Sequence, residues 1–420
     1  MGVDNLRRNG KNEQGYPNWR VETLNELTVK IGSGITPRGG SRVYKPYGRV
    51  FLRSQNVDWG KLLLDGVAFI DDKTHHTFDS TELHVGDVLL NITGASIGRA
   101  AVATSLVVGG NVNQHVCIIR VDPKRLDPGY LCYVLLSQNG QRQIESFQAG
   151  GNRQGLNFGQ IGSISLPVPE VTEQTAIATA LTDIDDLIQN LEQLIEKKKQ
   201  IKQGAMQDLL TGKRRLPGFK EPWVKCTIGD IGSFLKGSGI RRDEVRDSGL
   251  GCIRYGEIYT THNEYVKRFE SFIGRNAASQ STALRQGDLL FAGSGETAAE
   301  IGKCVAIVSD EEAYAGGDIV ILRPGTDVDS LFLGFQLNCF PVVRQKARMG
   351  QGDAVVHISA RHLREICIIL PPTKIEQTAI ADSLKKMDED LTAHQLLLSK
   401  YIALKQAMMQ VLLTGQIRLI

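Results

Sequence analysis

One pair of short motifs occurs twice in the chain at one fixed spacing. EQTAIA stands at Glu173–Ala178 and again at Glu376–Ala381, and LLTG stands at Leu209–Gly212 and again at Leu412–Gly415. The differences 376 − 173 and 412 − 209 both equal 203, so the segment between the motifs repeats without an insertion. Solenoid repeats have periods of about 20–50 residues, so this longer period indicates a duplicated domain.

Looser matches precede each EQTAIA motif. GSGI occurs at Gly32–Ile35 and Gly237–Ile240, an offset of 205, and GDVLL at Gly86–Leu90 corresponds to GDLLF at Gly287–Phe291, an offset of 201. These drifting offsets predict small loop insertions. The chain is therefore predicted to contain two copies of one unit, and each copy is a variable domain followed by a near-constant segment.

The near-constant segments have the pattern of long helices. Between Glu173 and Leu210 there is no proline, and the only glycine is Gly204. Apolar residues recur at alternating spacings of four and three, which is the heptad pattern of a coiled coil. The positions of this seam are Ile177, Leu181, Ile184, Ile188, Leu191 and Ile195 in the first copy, and Ile380, Leu384, Met387, Leu391, His394 and Leu398 in the second.

Each predicted helix needs a partner for its apolar stripe, which Leu187, Leu194 and Ile201 widen in the first copy. The other copy is the obvious partner, and two copies related by a pseudo-twofold axis would pack antiparallel. The alternative is that each helix packs only on its own domain. The basic clusters Lys197–Lys199 and Lys213–Arg215 are interpreted as docking or solvated charges.

The variable segments are predicted to mix strands and helices. Short β-rich stretches and helical stretches alternate there, separated by loops rich in glycine and asparagine. The fold class is thus α+β, with two mixed α/β domains in tandem, separated by two long helices that form an antiparallel coiled coil. The β-rich stretches are Gly48–Val57, His115–Val121, Gly251–Ile258 and Asp318–Arg323, and the helical ones lie near Pro128–Phe147 and Ser330–Ala347.

Motifs of several enzyme classes are missing from the chain. There is no phosphate-binding P-loop, no dinucleotide-binding GxGxxG after a strand, no adenine-methyltransferase tetrapeptide, no HExxH and no GxSxG. Seven scattered cysteines without a CxxC pair predict reduced thiols in a cytosolic protein without a zinc site. Two similar domains without a catalytic motif favour binding, although an enzyme with duplicated active sites remains an alternative.

The loops of both variable domains concentrate arginine, glutamine and asparagine. Arginine and these amides read base edges bidentately, whereas lysine and small polar groups hold phosphates. The net charge of only +3 does not indicate a DNA-binding protein by itself. Two similar variable domains, which act as two binding heads, nevertheless suit two half-sites of one DNA duplex. The alternative from another class is a coiled-coil scaffold that presents two protein-binding or glycan-binding heads.

This layout resembles the specificity (S) subunit of type I restriction-modification enzymes. The resemblance covers the chain from about Tyr16 to its end, and the paired motifs around the helices are its most specific part. The segments that carry it are Pro169–Ala178 and Pro372–Ala381, Leu209–Leu216 and Leu412–Leu419, LRSQNV at Leu52–Val57 and IRYGEI at Ile253–Ile258, and Gly86–Val102 and Gly287–Val305.

The resemblance implies a non-catalytic DNA-recognition subunit in the cytoplasm. Each variable domain would be a target recognition domain that reads one half of an asymmetric bipartite site in double-stranded DNA. The helices would act as a spacer and dock two methyltransferase (M) subunits, and two restriction (R) subunits would complete the nuclease. No cofactor is expected in this chain, because S-adenosylmethionine and ATP would bind to the M and R subunits.

Domain bounds and site residues follow from the motif positions. We expect a flexible tail at 1–16, recognition domains at 17–168 and 216–370, and spacer helices at 169–215 and 371–420. The alternative for every candidate DNA contact is a structural arginine or an amide that braces a loop. The best candidates are Arg53, Gln55, Asn56, Arg254 and Tyr255, and the weaker ones are Thr36, Arg38, Arg241, Arg242, Gln114, Asn152, Arg153 and Gln154.

Overall fold

A computed structural model describes residues 19–148, 155–297, 300–352 and 355–419. The described residues form two compact units, of which unit 1 comprises 19–192 with 396–419 and unit 2 comprises 193–395. We call the part of unit 1 before the first long helix head 1 (19–168) and the corresponding part of unit 2 head 2 (216–370). No helix in the described part of the chain is long and apolar enough to span a membrane.

Head 1 and the helix that follows it combine short strands with short helices. A four-stranded sheet has the order β2-β8-β5-β6, a three-stranded sheet has the order β4-β3-β7, and β1 pairs with β9. The elements are β1 (Arg20–Thr23), α1 (Leu24–Leu27), β2 (Thr28–Ser33), β3 (Arg49–Leu52), β4 (Ala68–Ile70), α2 (Asp72–His75), β5 (Val88–Asn91), β6 (Ala100–Val102), β7 (Asn111–Val112), β8 (Val116–Val121), α3 (Pro128–Leu136), α4 (Gln138–Ser146), α5 (Phe158–Gly162), β9 (Ser165–Val168) and α6 (Val171–Leu209).

Head 2 repeats this plan with larger sheets. One five-stranded sheet has the order β11-β21-β17-β19-β14 and the other β12-β15-β13-β20-β16, while β10 pairs with β23 and β18 with β22. The elements are β10 (Val224–Thr227), β11 (Gly232–Lys236), β12 (Val245–Arg246), β13 (Leu250–Ile253), α7 (Tyr255–Thr260), β14 (Tyr265–Val266), β15 (Ser271–Ile273), α8 (Arg275–Ala278), β16 (Thr282–Ala283), β17 (Leu289–Ala292), β18 (Ser294–Gly295), β19 (Cys304–Ile307), β20 (Ala313–Ala315), β21 (Ile319–Pro324), α9 (Ser330–Gln336), α10 (Phe340–Met349), β22 (Val356–His357), α11 (Ala360–Arg364), β23 (Cys367–Leu370) and α12 (Lys374–Leu412).

The α+β prediction is confirmed, with the same correction at the ends of β3 and β13. The stretch Gly48–Val57 was expected to be β-rich, but β3 ends at Leu52 and a 3₁₀ helix spans Ser54–Asn56. The stretch Gly251–Ile258 was expected to be β-rich throughout, but the strand ends at Ile253 and α7 begins at Tyr255. Arg254 is the extended residue before the first turn of α7, with φ −105° and ψ 154°. Ile258, which is fully buried, faces the core from a helix, so apolar content alone did not distinguish the two states.

The aspartate of the GD motif in each head forms a buried ion pair with an arginine of the neighbouring strand. Both carboxylate oxygens of Asp87 accept hydrogen bonds from Arg120 at 2.7 and 2.8 Å, and Asp288 accepts from Arg323 at 2.8 and 2.8 Å. The two aspartates are 0% and 1% exposed. Each pair joins the start of a central strand to its neighbour in the sheet, which accounts for the repetition of GD ahead of an apolar strand.

The long helices α6 and α12 have 39 residues each and pack antiparallel within each unit. In unit 1, Ile177 and Leu181 near the start of α6 share one core with Leu412 at the end of α12. In unit 2, Leu210, just after α6, shares a core with Leu384 near the start of α12. The predicted pairing is therefore confirmed, and each helix also packs on a head. The three residues that widen the apolar stripe of α6 are exposed to solvent, since Leu187, Leu194 and Ile201 are 41%, 39% and 54% exposed.

Each EQTAIA motif is held by the segment that follows the other copy of LLTG. In unit 1, Arg418 donates to both carboxylate oxygens of Glu173 at 2.5 and 2.7 Å. In unit 2, Arg215 donates to both oxygens of Glu376 at 2.6 and 2.8 Å. Both glutamates are 1% exposed. Arg215 is therefore a partner in a buried ion pair, and its interpretation as a docking or solvated charge is wrong.

The glutamine of each EQTAIA motif joins the helix start to its head. The Gln174 side-chain oxygen accepts from the backbone N–H of Asp127, and the Gln377 oxygen accepts from that of Asp329, both at 2.8 Å. Asp127 and Asp329 are in turn the N-caps of α3 and α9. The repeated motifs therefore mark the places where antiparallel helices and heads are fastened together, which requires the same residues in both copies.

Candidate nucleic-acid interface

Three loops converge at one end of the sheets in each head. The first follows β2 or β11, the second is the turn after β3 or β13, and the third lies between β7 and β8 or between β20 and β21. In head 1 the backbone N–H of Asn113 donates to the Leu52 carbonyl at 2.9 Å. In head 2 the backbone N–H of Gly316 donates to Ile253 at 2.9 Å, which is the corresponding contact.

A glycine at the start of the first loop permits this convergence. A Cβ atom on Gly34 would lie 1.6 Å from the carbonyl oxygen of Val112, and one on Gly237 would lie 2.0 Å from that of Gly316. These two glycines are structurally equivalent, because Ser33 pairs with Cys117 and Lys236 pairs with Val320 in the sheets. These equivalent glycines are offset by 237 − 34 = 203 residues, whereas the GSGI sequence match has an offset of 205. The sequence match therefore pairs residues that lie two positions apart in the structural alignment.

The turn after β3 places Gln55 and Asn56 in a short 3₁₀ helix, Ser54–Asn56, with Arg53 as its N-cap. Gln55 is exposed and has no hydrogen-bond partner among the described residues. Asn56 is 1% exposed, and its side chain accepts from the Arg53 backbone N–H at 3.0 Å and donates to the Leu63 carbonyl at 2.8 Å. This geometry matches the alternative for Asn56, an amide that braces the turn, and leaves Gln55 as the accessible amide.

Arg53 is half-buried and stacks on an aromatic ring. Its guanidinium carbon lies 5.6 Å from the centre of the Tyr44 ring, and Nη2 donates to the Gly66 carbonyl at 3.4 Å. The buried Nε has no hydrogen-bond partner in the described part of the chain. One of its two terminal nitrogens is thus engaged inside head 1.

Two of the weaker candidates in head 1 meet across the first and third loops. The Thr36 hydroxyl donates to the side-chain oxygen of Gln114, and the Gln114 amide lies 3.2 Å from Nε2 of His115. Arg38 is exposed in the same first loop. Asn152, Arg153 and Gln154 lie outside the described residues, so their placement stays a prediction.

Head 2 has a cleft of about 590 Å³ at its three loops. Arg242, Arg254 and Tyr255 line it, so three of the four candidates in head 2 come together there. Tyr255 is 41% exposed. Arg241 precedes Arg242 in the first loop and is also exposed, but it does not line the cleft.

Strained backbone occurs at this cleft. Ile240 has φ 55° and Asp318 has φ 58°, and they are the two non-glycine residues with positive φ in the described ranges. Both line the cleft. A β-branched residue in this conformation is a genuine outlier, and such strain clusters at functional sites. The sequence reasoning missed Asp318, although the preceding Gly316-Gly317 pair signals a tight turn.

Glu257 is a second residue of the cleft that sequence reasoning missed. It occupies the position of Asn56 in the matching motif and is 8% exposed. Its Oε1 accepts from Arg254 Nε at 3.1 Å and from the Ser271 hydroxyl at 2.8 Å. Glu257 and Asp318 balance the charges of Arg242 and Arg254, so the formal charge of these four residues is zero.

Burial shifts the pKa of two groups in and just after α7. It raises the pKa of Tyr259 to about 12, and it lowers the pKa of His262 below its usual value of 6.5. Both groups are therefore mainly uncharged at neutral pH. The described residues contain no group of three or more His, Cys, Asp or Glu side chains that could hold a metal ion.

Comparisons with known proteins point to one family. The family model for the type I restriction modification DNA specificity domain matches residues 9–203 and 220–398. The chain is 24% identical over 422 residues to the protein of Methanocaldococcus jannaschii named the type I restriction enzyme MjaX specificity subunit, covering 95% of this chain and 94% of that one. It is 21% identical over 304 residues to the EcoKI specificity subunit of Escherichia coli, covering 65% and 61%.

Solved structures share the fold. The S subunit of a type I restriction-modification system from M. genitalium has a TM-score of 0.61 at 15% identity, covering 98% of each chain. The HsdS subunit from Thermoanaerobacter tengcongensis has a TM-score of 0.52 at 17% identity, covering 97% of this chain and 100% of that one.

Proposed function

Because the chain belongs to the type I restriction-modification DNA specificity domain family, we propose that it is the DNA-recognition subunit of such an enzyme. It binds an asymmetric bipartite target in double-stranded DNA, with one half-site for each head. The observation that carries this proposal is the convergence of the same three loops in both heads. Their framework is repeated, whereas the exposed side chains on them differ.

The accessible side chains of the two heads have the chemistry of base readers. Head 1 offers the amide of Gln55, whose oxygen and N–H₂ group suit adenine. It also offers the exposed amide of Gln114, which contacts Thr36 and His115. Head 2 offers guanidinium groups and the Tyr255 phenol in its cleft. Heads with different donors and acceptors favour different half-sites, so the complete target is not a palindrome.

The long helices are the proposed spacer and the docking surface for partner subunits. Apolar side chains stay exposed on them, including Leu187 and Leu396 in unit 1 and Ile201 in unit 2, at 41%, 58% and 54%. Exposed apolar side chains on a helix suit a partner's apolar helix face. We infer that two methyltransferase subunits dock there and that two restriction subunits complete the assembly.

The methylation and cleavage reactions are assigned to the partner subunits. S-adenosylmethionine would bind to the methyltransferase subunits and ATP to the restriction subunits, and this chain itself is non-catalytic. The absence of methyltransferase and P-loop motifs from its sequence supports that division.

A selection experiment tests the proposal. The chain, purified together with its methyltransferase partner, is incubated with a randomised duplex library at several salt concentrations, and the bound fraction is sequenced. We expect enrichment of one motif with two specified blocks, and affinity that falls with salt because phosphate contacts release counterions. A scaffold for proteins or glycans would enrich no sequence, and its binding would show no such salt dependence.

A further inference from the structure

The ion pair between Arg254 and Glu257 orients a guanidinium group at the head 2 cleft. Glu257 holds Arg254 through Nε at 3.1 Å, and Ser271 holds the same carboxylate oxygen at 2.8 Å. The Glu257 side chain is 10% exposed, whereas that of Arg254 is 35% exposed and lines the cleft. Because a guanidinium is planar and rigid, fixing Nε also fixes the direction of its remaining donors.

The two terminal nitrogens of Arg254 remain available. Neither Nη1 nor Nη2 has a hydrogen-bond partner within the described parts of the chain, since its only bond is made by Nε. A pair of parallel N–H donors matches two ligands of DNA, the O6 and N7 edge of guanine in the major groove and two oxygens of a phosphate.

The charges around Arg254 favour the guanine edge. Glu257 lies against the guanidinium, and Asp318 lines the same cleft. Because Glu257 and Asp318 balance Arg254 and Arg242 in this cleft, a phosphate placed there would meet no net positive charge. The edge of guanine is uncharged and needs donor direction rather than positive potential. We propose that Arg254 reads a guanine in the half-site of head 2 and that Glu257 is its positioning residue. This inference rests on the proposed DNA-binding function.

The corresponding arginine of head 1, Arg53, has different hydrogen-bond partners. Arg53 donates through Nη2 to the Gly66 carbonyl and stacks on Tyr44, and the position of Glu257 is taken by the uncharged Asn56. Arg53 therefore has one terminal nitrogen engaged and, within the described ranges, no carboxylate paired with its guanidinium. It is the matched control for Arg254, at the same place in the same motif.

The experiment measures base discrimination by the chain in complex with its methyltransferase partner. The preferred target is first determined for the unsubstituted complex, and competition binding then uses duplexes that each carry one substituted base pair. Arg254→Lys should lower the discrimination at one G·C pair of the head 2 half-site by about tenfold or more. Glu257→Gln should lower it several-fold at the same pair, and Arg53→Lys should leave that pair unchanged.

Other outcomes would overturn the inference. If Arg254→Lys weakens binding to all duplexes equally, or Arg254→Ala does so and reduces the salt slope by about one, Arg254 contacts a phosphate. Unchanged discrimination in Arg254→Lys would also refute it, and thermal unfolding checks that this variant still folds. Thermal unfolding checks that Glu257→Gln still folds. An unsubstituted complex without any preferred sequence would refute the proposed function itself, so the two failures are distinguishable.

Discussion

Lys346 in head 2 is a buried cation that has no acidic partner among the described residues. It lies in α10, is 1% exposed, and donates from Nζ to the Gly302 carbonyl at 2.6 Å. The equivalent residue of head 1 is Ile144, also 1% exposed. The equivalence follows from the preceding glutamines, since Gln143 donates to the Ser165 carbonyl and Gln345 to that of Cys367. Head 2 thus places an amine where head 1 has an aliphatic core residue.

Burial lowers the pKa of the Lys346 ammonium from its usual 10.5 to about 8. Below pH 8 the folded and unfolded chains both carry the proton, and the full cost of burying the charge is present. Between pH 8 and 10.5 the unfolded chain binds more protons than the folded one, so the free energy of unfolding rises with pH. From pH 7 to pH 10 this group alone should raise it by about 2.5 kcal/mol.

Lys346→Met should abolish this pH dependence. Methionine keeps the apolar stem but cannot donate to Gly302, so the variant loses a hydrogen bond worth about 1–3 kcal/mol at a buried carbonyl. The difference in unfolding free energy between the unsubstituted chain and the variant should therefore shift by about 2.5 kcal/mol from pH 7 to pH 10. Urea titration followed by peptide-resolved hydrogen exchange reads unit 2 separately. A difference that stays constant over this range, or the same shift in Ile144→Met, would refute the reasoning.

Three further perturbations test other parts of the structure. Arg418→Met should lower the free energy of unfolding of unit 1 by about 2–4 kcal/mol, because it leaves the buried Glu173 carboxylate unpaired. In a double-mutant cycle measured by urea titration, adding Glu173→Gln should restore part of the lost free energy. Alkylation at pH 8 should modify the exposed Cys367 well before Cys304, because burial raises the pKa of the Cys304 thiol to about 12. Mass spectrometry of digests taken at successive times measures this order, and earlier modification of Cys304 would contradict the expectation. Inserting four residues within Gln189–Gln193 should change the preferred spacing between half-sites without changing either half-site, and binding selection that returns the original spacing would exclude the helices as the spacer.

The sequence predicted those features that local periodicity encodes. The alternation of four and three in Ile177, Leu181 and Ile184 fixed the buried face of α6, and all three are at most 7% exposed. The exact 203-residue repeat also predicted equal helices, and both have 39 residues. These properties follow from neighbours on one helix, so a single sequence is enough to read them.

Features that depend on tertiary pairing were not predicted. Arg215 looked like a solvated charge, because its partner Glu376 lies 161 residues away and approaches only when the helices pack antiparallel. Asn56 was a leading candidate for DNA contact, because a motif position does not reveal that the side chain points inward. Glu257 was overlooked for the same reason, since its importance arises from the arginine that it orients.

The central claim is that each head specifies one half of a bipartite DNA target. The most direct measurement is single-molecule sequencing of the methylome of a host without methyltransferases of its own, expressing this chain with its methyltransferase partner. We predict one methylated motif with two different specified blocks, separated by a spacer of unspecified bases. Substitution of Arg242 and Arg254 in head 2 should alter one block and leave the other intact. Methylation without sequence preference, or a change in both blocks, would contradict the claim.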